Sequence, residues 1–296
     1  MLDLRDLQCL VALSRHKHFA RAAEECGMSQ PAFSMRIRNL EDRLQTSIVK
    51  RGNRYLGLTG DGEMILARAR RVIGEARALE DEVRAAKGEV MGVLSLGVVP
   101  TVTAFAARAA QRLRESHPGI RLKILATNAL EIQQRLSDGR LDAAITYSEG
   151  VSPDLYSAEP LYDERYVLLL PETLAMGQSG ASISWRDAAE LPLVLLEPEM
   201  QNRRIIDAVF REAGAAPDVV AESNGFIAAL AMAVAGMGAT VLPEALVDAL
   251  GPIGATRVVP LVEPELSKSI SFVVSKREQH IPGVEALRQS LIENMQ

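Results

Sequence analysis

The feature that most constrains the fold of this chain is the run from Gly27 to Leu44. Gly27 ends a short helical pattern, Ser29 is placed to cap a new helix, and Pro31 falls in its first turn, where a missing N–H costs nothing. Phe33, Ile37, Leu40 and Leu44 then recur at i, i+4, i+7 and i+11, which puts all four on one buried stripe. Upstream, Leu4, Leu7, Leu10, Val11 and Ser14 make one face of a first helix. After the break at His16–His18, the stretch FARAAEEC predicts a second, short helix with Ala20 and Ala23 inward. Helix, short helix, glycine turn, capped helix is the arrangement of a helix-turn-helix.

The chain beyond Leu44 is equally patterned. Lys50–Gly62 (KRGNRYLGLTGDG) has four glycines and reads as a basic hairpin or wing. From Glu63 to Lys87 the apolar residues Ile65, Ala69, Val72, Ala76, Leu79, Val83 and Ala86 step by 4, 3, 4, 3, 4, 3, a heptad seam. A solvated helix packed on its own domain would give a similar stretch. Pairing with a second copy is preferred, because a strict 3.5 period serves a seam better than a globular face. Beyond a short hinge at Gly88–Gly92 the pattern changes to alternating strands and helices. Strands are expected at Val93–Val99, Ile120–Ala126, Ala143–Tyr147, Tyr166–Leu170, Leu193–Leu196, Val219–Ala221, Thr240–Leu242 and Ile270–Ser275. Helices are expected at Thr103–Ser116, from Asn128 to Asp138, and at Asn202–Ala213, Gly225–Ala235 and Gly283–Asn294. Such alternation implies parallel sheets with right-handed crossovers. Two similar α/β halves joined by crossing strands make a clamshell with a cleft at the carboxyl ends of the strands.

Charge divides the chain the same way. Overall it is −5, but residues 1–60 hold ten Lys/Arg against six Asp/Glu, whereas residues 91–296 hold 17 against 25. A basic head on an acidic body suggests a head that meets a polyanion and a body that does not. No apolar run of about 18 residues occurs to span a membrane. The N-terminus lacks the basic leader of a signal peptide, so a cytoplasmic location is expected. Cys9 and Cys26 are the only cysteines among 296 residues, too few for a disulfide framework or a Cys-based zinc site. His16, His18, His117 and His280 show no metal-ligand spacing, and no nucleophile triad, P-loop or dinucleotide fingerprint is present. Neither a catalytic site nor a metal or cofactor is expected.

With these elements placed, the residues resemble a known family, the LysR-type bacterial transcriptional regulators, over the whole chain. The most specific stretch is Phe19–Leu44, FARAAEECGMSQPAFSMRIRNLEDRL, which carries the family pattern at Ala22, Ala23, Ser29, Gln30, Pro31, Ala32, Ser34, Ile37, Leu40 and Glu41. Arg51, Arg54, Leu58, Thr59 and Gly62 match its wing, and Leu136–Ile145 (LSDGRLDAAI) matches a motif of its body. Met35 departs by standing where many members have Arg, and Ala129 replaces a common hydroxyl, with Thr127 before it. The resemblance implies a multidomain α+β chain. Its parts are a winged helix-turn-helix over 1–60, a linker helix for coiled-coil dimerisation over 61–90, and a two-lobed α/β effector-binding domain over 91–296. That last domain resembles periplasmic binding proteins, with lobe I at 91–162 and 269–296 and lobe II at 163–268. The implied partners are double-stranded DNA at an interrupted inverted repeat, a small-molecule effector, RNA polymerase and further copies in a dimer of dimers, with no membrane.

The DNA-reading face is expected to hold Gln30, Pro31, Ser34, Met35 and Arg38, behind the cap Ser29. Gln30 suits bidentate pairing with adenine, Ser34 a base or phosphate, and Met35 and Pro31 a thymine methyl. Arg38 reaches a guanine or the backbone, while Arg36 on the flank is expected on phosphate. Arg51 and Arg54 would touch phosphates or a neighbouring minor groove. In the body, Thr101, Thr103, Thr127, Asn128 and Tyr147 follow strands of the first lobe, and Gln201, Arg203 and Asn224 those of the second. Helix N-termini favour an anion there, and Arg203 is a candidate clamp for a carboxylate, although capping or solvent exposure would equally account for these residue types. The dimer seam is expected at Ile65, Ala69, Val72, Ala76, Leu79 and Val83. Two rival functions are compatible with parts of this pattern: a solute-binding receptor without a DNA role, and an enzyme on the same clamshell, for which Glu197 would be the starting acid.

Overall fold

The structure is a computed structural model that describes residues 2–50, 55–175, 180–276 and 281–293. It forms two compact units, Met1–Gly92 with Gln134–Leu141, and Val93–Gln133 with Asp142–Gln296.

In the first unit, α1 (Leu4–His16), α2 (Phe19–Glu25) and α3 (Gln30–Leu44) precede the long helix α4 (Gly60–Ala85). Each junction has a local cause. Lys17 and Gly27 take left-handed backbone angles between the helices. The Ser29 hydroxyl accepts the Ala32 N–H at the start of α3, and the Thr59 hydroxyl accepts the Gly62 N–H at the start of α4. Phe33, Ile37 and Leu40 are buried against Leu7, Leu10 and Leu13 of α1, with Leu44 half-buried at the edge of the same core. In α2 the inward pair is Ala22 and Ala23, while Ala20 is exposed. Two adjacent alanines fit a seven-residue helix that packs against both α1 and α3, so two neighbouring positions face inward at once. A bridge between Val49 and Leu58 and the Lys50 N–H bond to the Gly57 carbonyl at 3.0 Å begin the wing.

The seam expected along α4 is divided. Gly62, Leu66, Ala69 and Ile73 face the core of this unit, and Ile65 packs against it half-buried. Ala69 is therefore corrected from a dimer contact to a core residue, while Ile65 borders both faces. The reason is angular: at 3.6 residues per turn the core stripe and the seam lie side by side and share Ala69. Val72, Leu79 and Val83 remain 50–64% exposed, and Ala76 is half-buried.

After α4 come β1 (Gly92–Val98), a 3₁₀ turn (Pro100–Val102), α5 (Thr103–Ser116), β2 (Ile120–Ala126), α6 (Ala129–Ser137, divided between the units at Gln134) and β3 (Ala143–Tyr147). A long strand β4 (Tyr156–Pro171) leads to β5 (Ile183–Ser184), α7 (Trp185–Ala189), β6 (Pro192–Leu196), α8 (Gln201–Glu212), β7 (Asp218–Ser223) and α9 (Phe226–Val234). The second unit closes with β8 (Thr240–Pro243), α10 (Glu244–Leu250), β9 (Thr256–Val262), β10 (Ser267–Ser275) and α11 (Pro282–Glu293). The expected all-parallel arrangement is corrected to a mixed one. The main sheet runs β2-β1-β3-β10-β4-β9-β5, with β8 also on β4, and β6 pairs with β7 apart from it. β1–β3 and β6–β7 are parallel, but β10 is antiparallel to both β3 and β4. The cause is the crossing pair: Tyr156–Arg165 of β4 pairs with β10, and Tyr166–Pro171 pairs with β8 and β9. One strand thus belongs to both lobes, and the apolar run Tyr166–Leu170 is only its second half.

Gly62 sets how closely α4 can start against the wing. A Cβ there would stand 2.1 Å from the Ile48 carbonyl oxygen. Gly62→Ala is expected to cost about 1–3 kcal/mol through this overlap, read as a lowered urea midpoint of the full chain.

Candidate nucleic-acid interface and effector cleft

With its apolar stripe buried, α3 presents the opposite side to solvent. Ser29, Gln30, Pro31, Met35 and Arg38 are exposed, Met35 by 63%, and Ser34 is half-buried between them. The face offers amide, hydroxyl and thioether groups with a cation at its far end. Arg36 does not belong to it. Its guanidinium lies 2.6 Å from Asp6 Oδ1 and 3.4 Å from Asp3 Oδ2, and Arg43 reaches the other Asp6 oxygen at 3.1 Å. Asp6 is 3% exposed, and a nearly buried carboxylate requires such partners. The expected phosphate contact is thus corrected to an internal tie between α1 and α3. Glu41, whose carboxylate accepts the Ile48 and Val49 N–H groups at 2.7 and 3.0 Å, ties α3 to the wing in the same way. Arg51 and Arg54 lie outside the described residues.

The second unit brings only some of its expected residues together. Thr101 and Tyr147 meet, their hydroxyls 3.5 Å apart, but in a buried cluster and not on an open edge. The cluster is completed by Glu164 and Tyr166 of β4. Glu164 Oε2 accepts from the Tyr166 hydroxyl at 2.9 Å and the Tyr147 hydroxyl at 3.3 Å. Burial pushes the Glu164 carboxyl up to about 7 and both phenols well above their ordinary range. Sequence reasoning missed Glu164 and Tyr166. The available signal was the alternation Tyr162, Glu164, Tyr166 along one strand face, hidden because only the apolar half of β4 was read as strand.

The remaining candidates serve the fold to different degrees. Asn128 Oδ1 accepts the Glu131 N–H at 2.9 Å and Thr127 donates to the Glu131 carboxylate, a reciprocal cap for α6. Thr103 donates to the Pro100 carbonyl. Arg203 is corrected from a carboxylate clamp: it is 8% exposed and spends its donors on Glu222, Asp207 and the Leu196 carbonyl. Two local acids neutralise it before any ligand arrives. Gln201 is half-buried and Asn224 exposed. Beside them Asn202, also missed, is 4% exposed with both side-chain amide atoms unpartnered. Among the described residues, no cluster of three His, Cys, Asp or Glu could hold a metal ion, and no helix is long and apolar enough to cross a membrane.

A helix-turn-helix with a neutral polar outer face, a long exposed helix and a two-lobed α/β body define a ligand-responsive DNA-binding regulator. Comparison with known proteins agrees. Residues 4–63 match the bacterial regulatory helix-turn-helix protein, lysR family, and residues 87–296 match the LysR substrate binding domain. The chain belongs to the LysR family of transcriptional regulators; it is a regulator and not an enzyme. It is 30% identical over 274 residues to the DNA-binding transcriptional dual regulator OxyR of Escherichia coli, covering 92% of this chain and 89% of that protein. To the hydrogen peroxide-inducible genes activator of Haemophilus influenzae it is 28% identical, covering 92% and 90%. A solved full-length OxyR variant from Pseudomonas aeruginosa shares 26% identity at a TM-score of 0.81, covering 98% and 95%. CbnR, a LysR family regulator solved in complex with its target DNA, shares the fold at 21% identity and a TM-score of 0.72, covering 99% and 100%.

The Asp6 tie yields a test. Asp6→Asn leaves two arginines without their shared anion. Because both are partly solvated, the expected loss is about 1–2 kcal/mol of first-unit stability, with weaker binding to DNA of any sequence. Denaturation followed by circular dichroism, alongside binding to random duplex, measures both.

Proposed function

We propose that α3 is inserted in the major groove of an interrupted inverted repeat. The supporting observation is its division into a buried apolar stripe and an exposed face of Gln30, Pro31, Ser34, Met35 and Arg38, with Ser29 capping the end nearest the bases. Gln30 and Ser34 read bases, Arg38 holds the backbone, and Arg51 and Arg54 contact phosphate or the neighbouring minor groove. Residues 1–60 act as the DNA-binding head, 61–90 as the dimerisation helix and 91–296 as the effector domain, in a cytoplasmic regulator that meets RNA polymerase on DNA.

Two copies pair along α4 through the exposed Val72, Leu79 and Val83, with Ala76 allowing close approach. A second apolar surface supports assembly to a tetramer: Val220 on β7, Ile227 and Val234 on α9, and Met237 beyond it are 42–84% exposed. The occupant proposed for it is another copy of the chain. The reading as a solute receptor without a DNA role has no matching observation and does not account for the head.

The effector is a small molecule with an anionic group, held between the lobes near Thr101, Thr127, Asn128 and Gln201. α8 and α9 begin without a side-chain cap, which leaves their N-termini open to an anionic group. The binding is non-covalent. Residues 91–296 contain no cysteine, and in the head Cys9 is fully buried, its thiol pushed up to about 12 chiefly by that burial.

Gln30→Ala and Ser34→Ala are each expected to lower affinity for the specific site about tenfold or more while sparing random DNA, in footprinting against competitor duplex. Equal losses on both would remove these residues from base reading. Leu79→Glu is expected to yield half the native mass or less in sedimentation, and an unchanged mass would remove α4 from pairing.

A further inference from the structure

Glu164 is the least explained group in the second unit. Its residue is 1% exposed, its Oε1 has no hydrogen-bond partner, and the described residues bring no cation to it. Strand register shows what surrounds it. Tyr147 of β3, Ile270 of β10 and Tyr162 of β4 lie in one row, and Tyr162, Glu164 and Tyr166 share one face of β4. Thr101 closes the cluster from the 3₁₀ turn after β1, and Phe105 of α5 packs on the Tyr162 ring with centroids 5.0 Å apart. The Tyr162 hydroxyl is likewise buried without a partner. Arg108 of α5 lowers the Tyr162 phenol against its burial and the Glu164 charge, and it does not act on the carboxyl. An acid and three phenols thus meet at the carboxyl ends of β1 and β3, on the strand that serves both lobes. A buried acceptor left unmatched costs free energy that packing alone does not require.

We propose that Glu164 is the recognition group for a cationic nitrogen, an ammonium or amidinium, carried by the effector, with Thr101, Tyr147 and Tyr166 orienting the carboxylate toward it. This rests on the effector reading above and narrows it: the ligand joins such a nitrogen to its anionic group. The cation supplies the donor that Oε1 lacks and the countercharge that the cluster lacks. Because the carboxyl is raised to about 7 by burial, it is partly protonated in the empty protein at neutral pH. On binding, that proton leaves for bulk water and the carboxylate–ammonium pair remains. Affinity for the cation therefore rises with pH between about 6 and 8 and is weak at pH 5.5.

The test uses the full chain, thermal-shift titration and three probes: ethylammonium, acetate and 4-aminobutanoate, each up to 50 mM at pH 5.5 and 8. Ethylammonium and 4-aminobutanoate are expected to raise Tm at pH 8 and not at pH 5.5. Glu164→Gln is expected to abolish the ethylammonium response and keep any response to acetate. The same variant reports its own folding. The native carboxyl binds its proton more tightly folded than unfolded, so native stability falls as pH climbs from 4.5 through about 7, a loss that Gln does not share. Should Glu164→Gln fail to fold, the pH dependence of the native response decides instead. Equal amine responses at both pH values, or in Glu164→Gln, overturn the assignment, as does a response to acetate alone. If no probe shifts Tm but a metabolite extract does, the cation subsite is wrong and the effector reading stands; if the extract also fails, both fall.

Discussion

Burial of one stripe of α3 governs how the head can act. Phe33, Ile37 and Leu40 are each worth about 1.5–3 kcal/mol when removed from water, and α1 and α2 are the helices they bury against. Once they face inward, a helix has no freedom left in its rotation, and Gln30, Ser34, Met35 and Arg38 must face out. The Asp6 carboxylate then fixes tilt by gripping Arg36 and Arg43 from α1. Glu41 fixes the start of the wing through two backbone N–H groups. The acidic residues of this basic head thus serve its geometry, leaving cations outside the core for the polyanion.

The body depends on a different constraint, one long strand used twice. β4 pairs with β10 over its first part and with β8 and β9 over its second, so the lobes are joined by backbone hydrogen bonding as well as by chain connection. Side chains at this crossing are sealed from water, and that burial raises the Glu164 carboxyl and its tyrosine neighbours above their ordinary ranges. Arg203 shows the opposite case. Surrounded by Glu222 and Asp207, it is a neutralised structural cation.

Much of this was legible residue by residue. The helix-turn-helix, its Ser29 cap, the Asn128 cap of α6, and β2, β3 and α5 all follow from local periodicity and capping chemistry, which act within a few residues. β5 and α7 were missed because such short elements carry too few periods to show a pattern, α10 because it follows a strand directly, and β9 because Pro260 inside it argues against a strand. The β10 pairing was misjudged because alternation of strands and helices says nothing about the direction of a late strand that returns from the chain's end. Ile65 and Ala69 satisfied a heptad and a globular stripe at once, and spacing cannot separate two adjoining faces of one helix.

By itself, then, the order of residues settled the class of protein: the cap, stripe and turn chemistry of the head, the charge contrast between head and body, and the family to which they point. Tertiary contact alone decided which charged groups are free to act. Arg36 and Arg203 read as surface cations until neighbours from distant strands and helices neutralise them, and Glu164 reads as a surface acid until three phenols and a hydroxyl enclose it. Solvation and partners set what an ionisable group does, and both are supplied by residues far away along the chain.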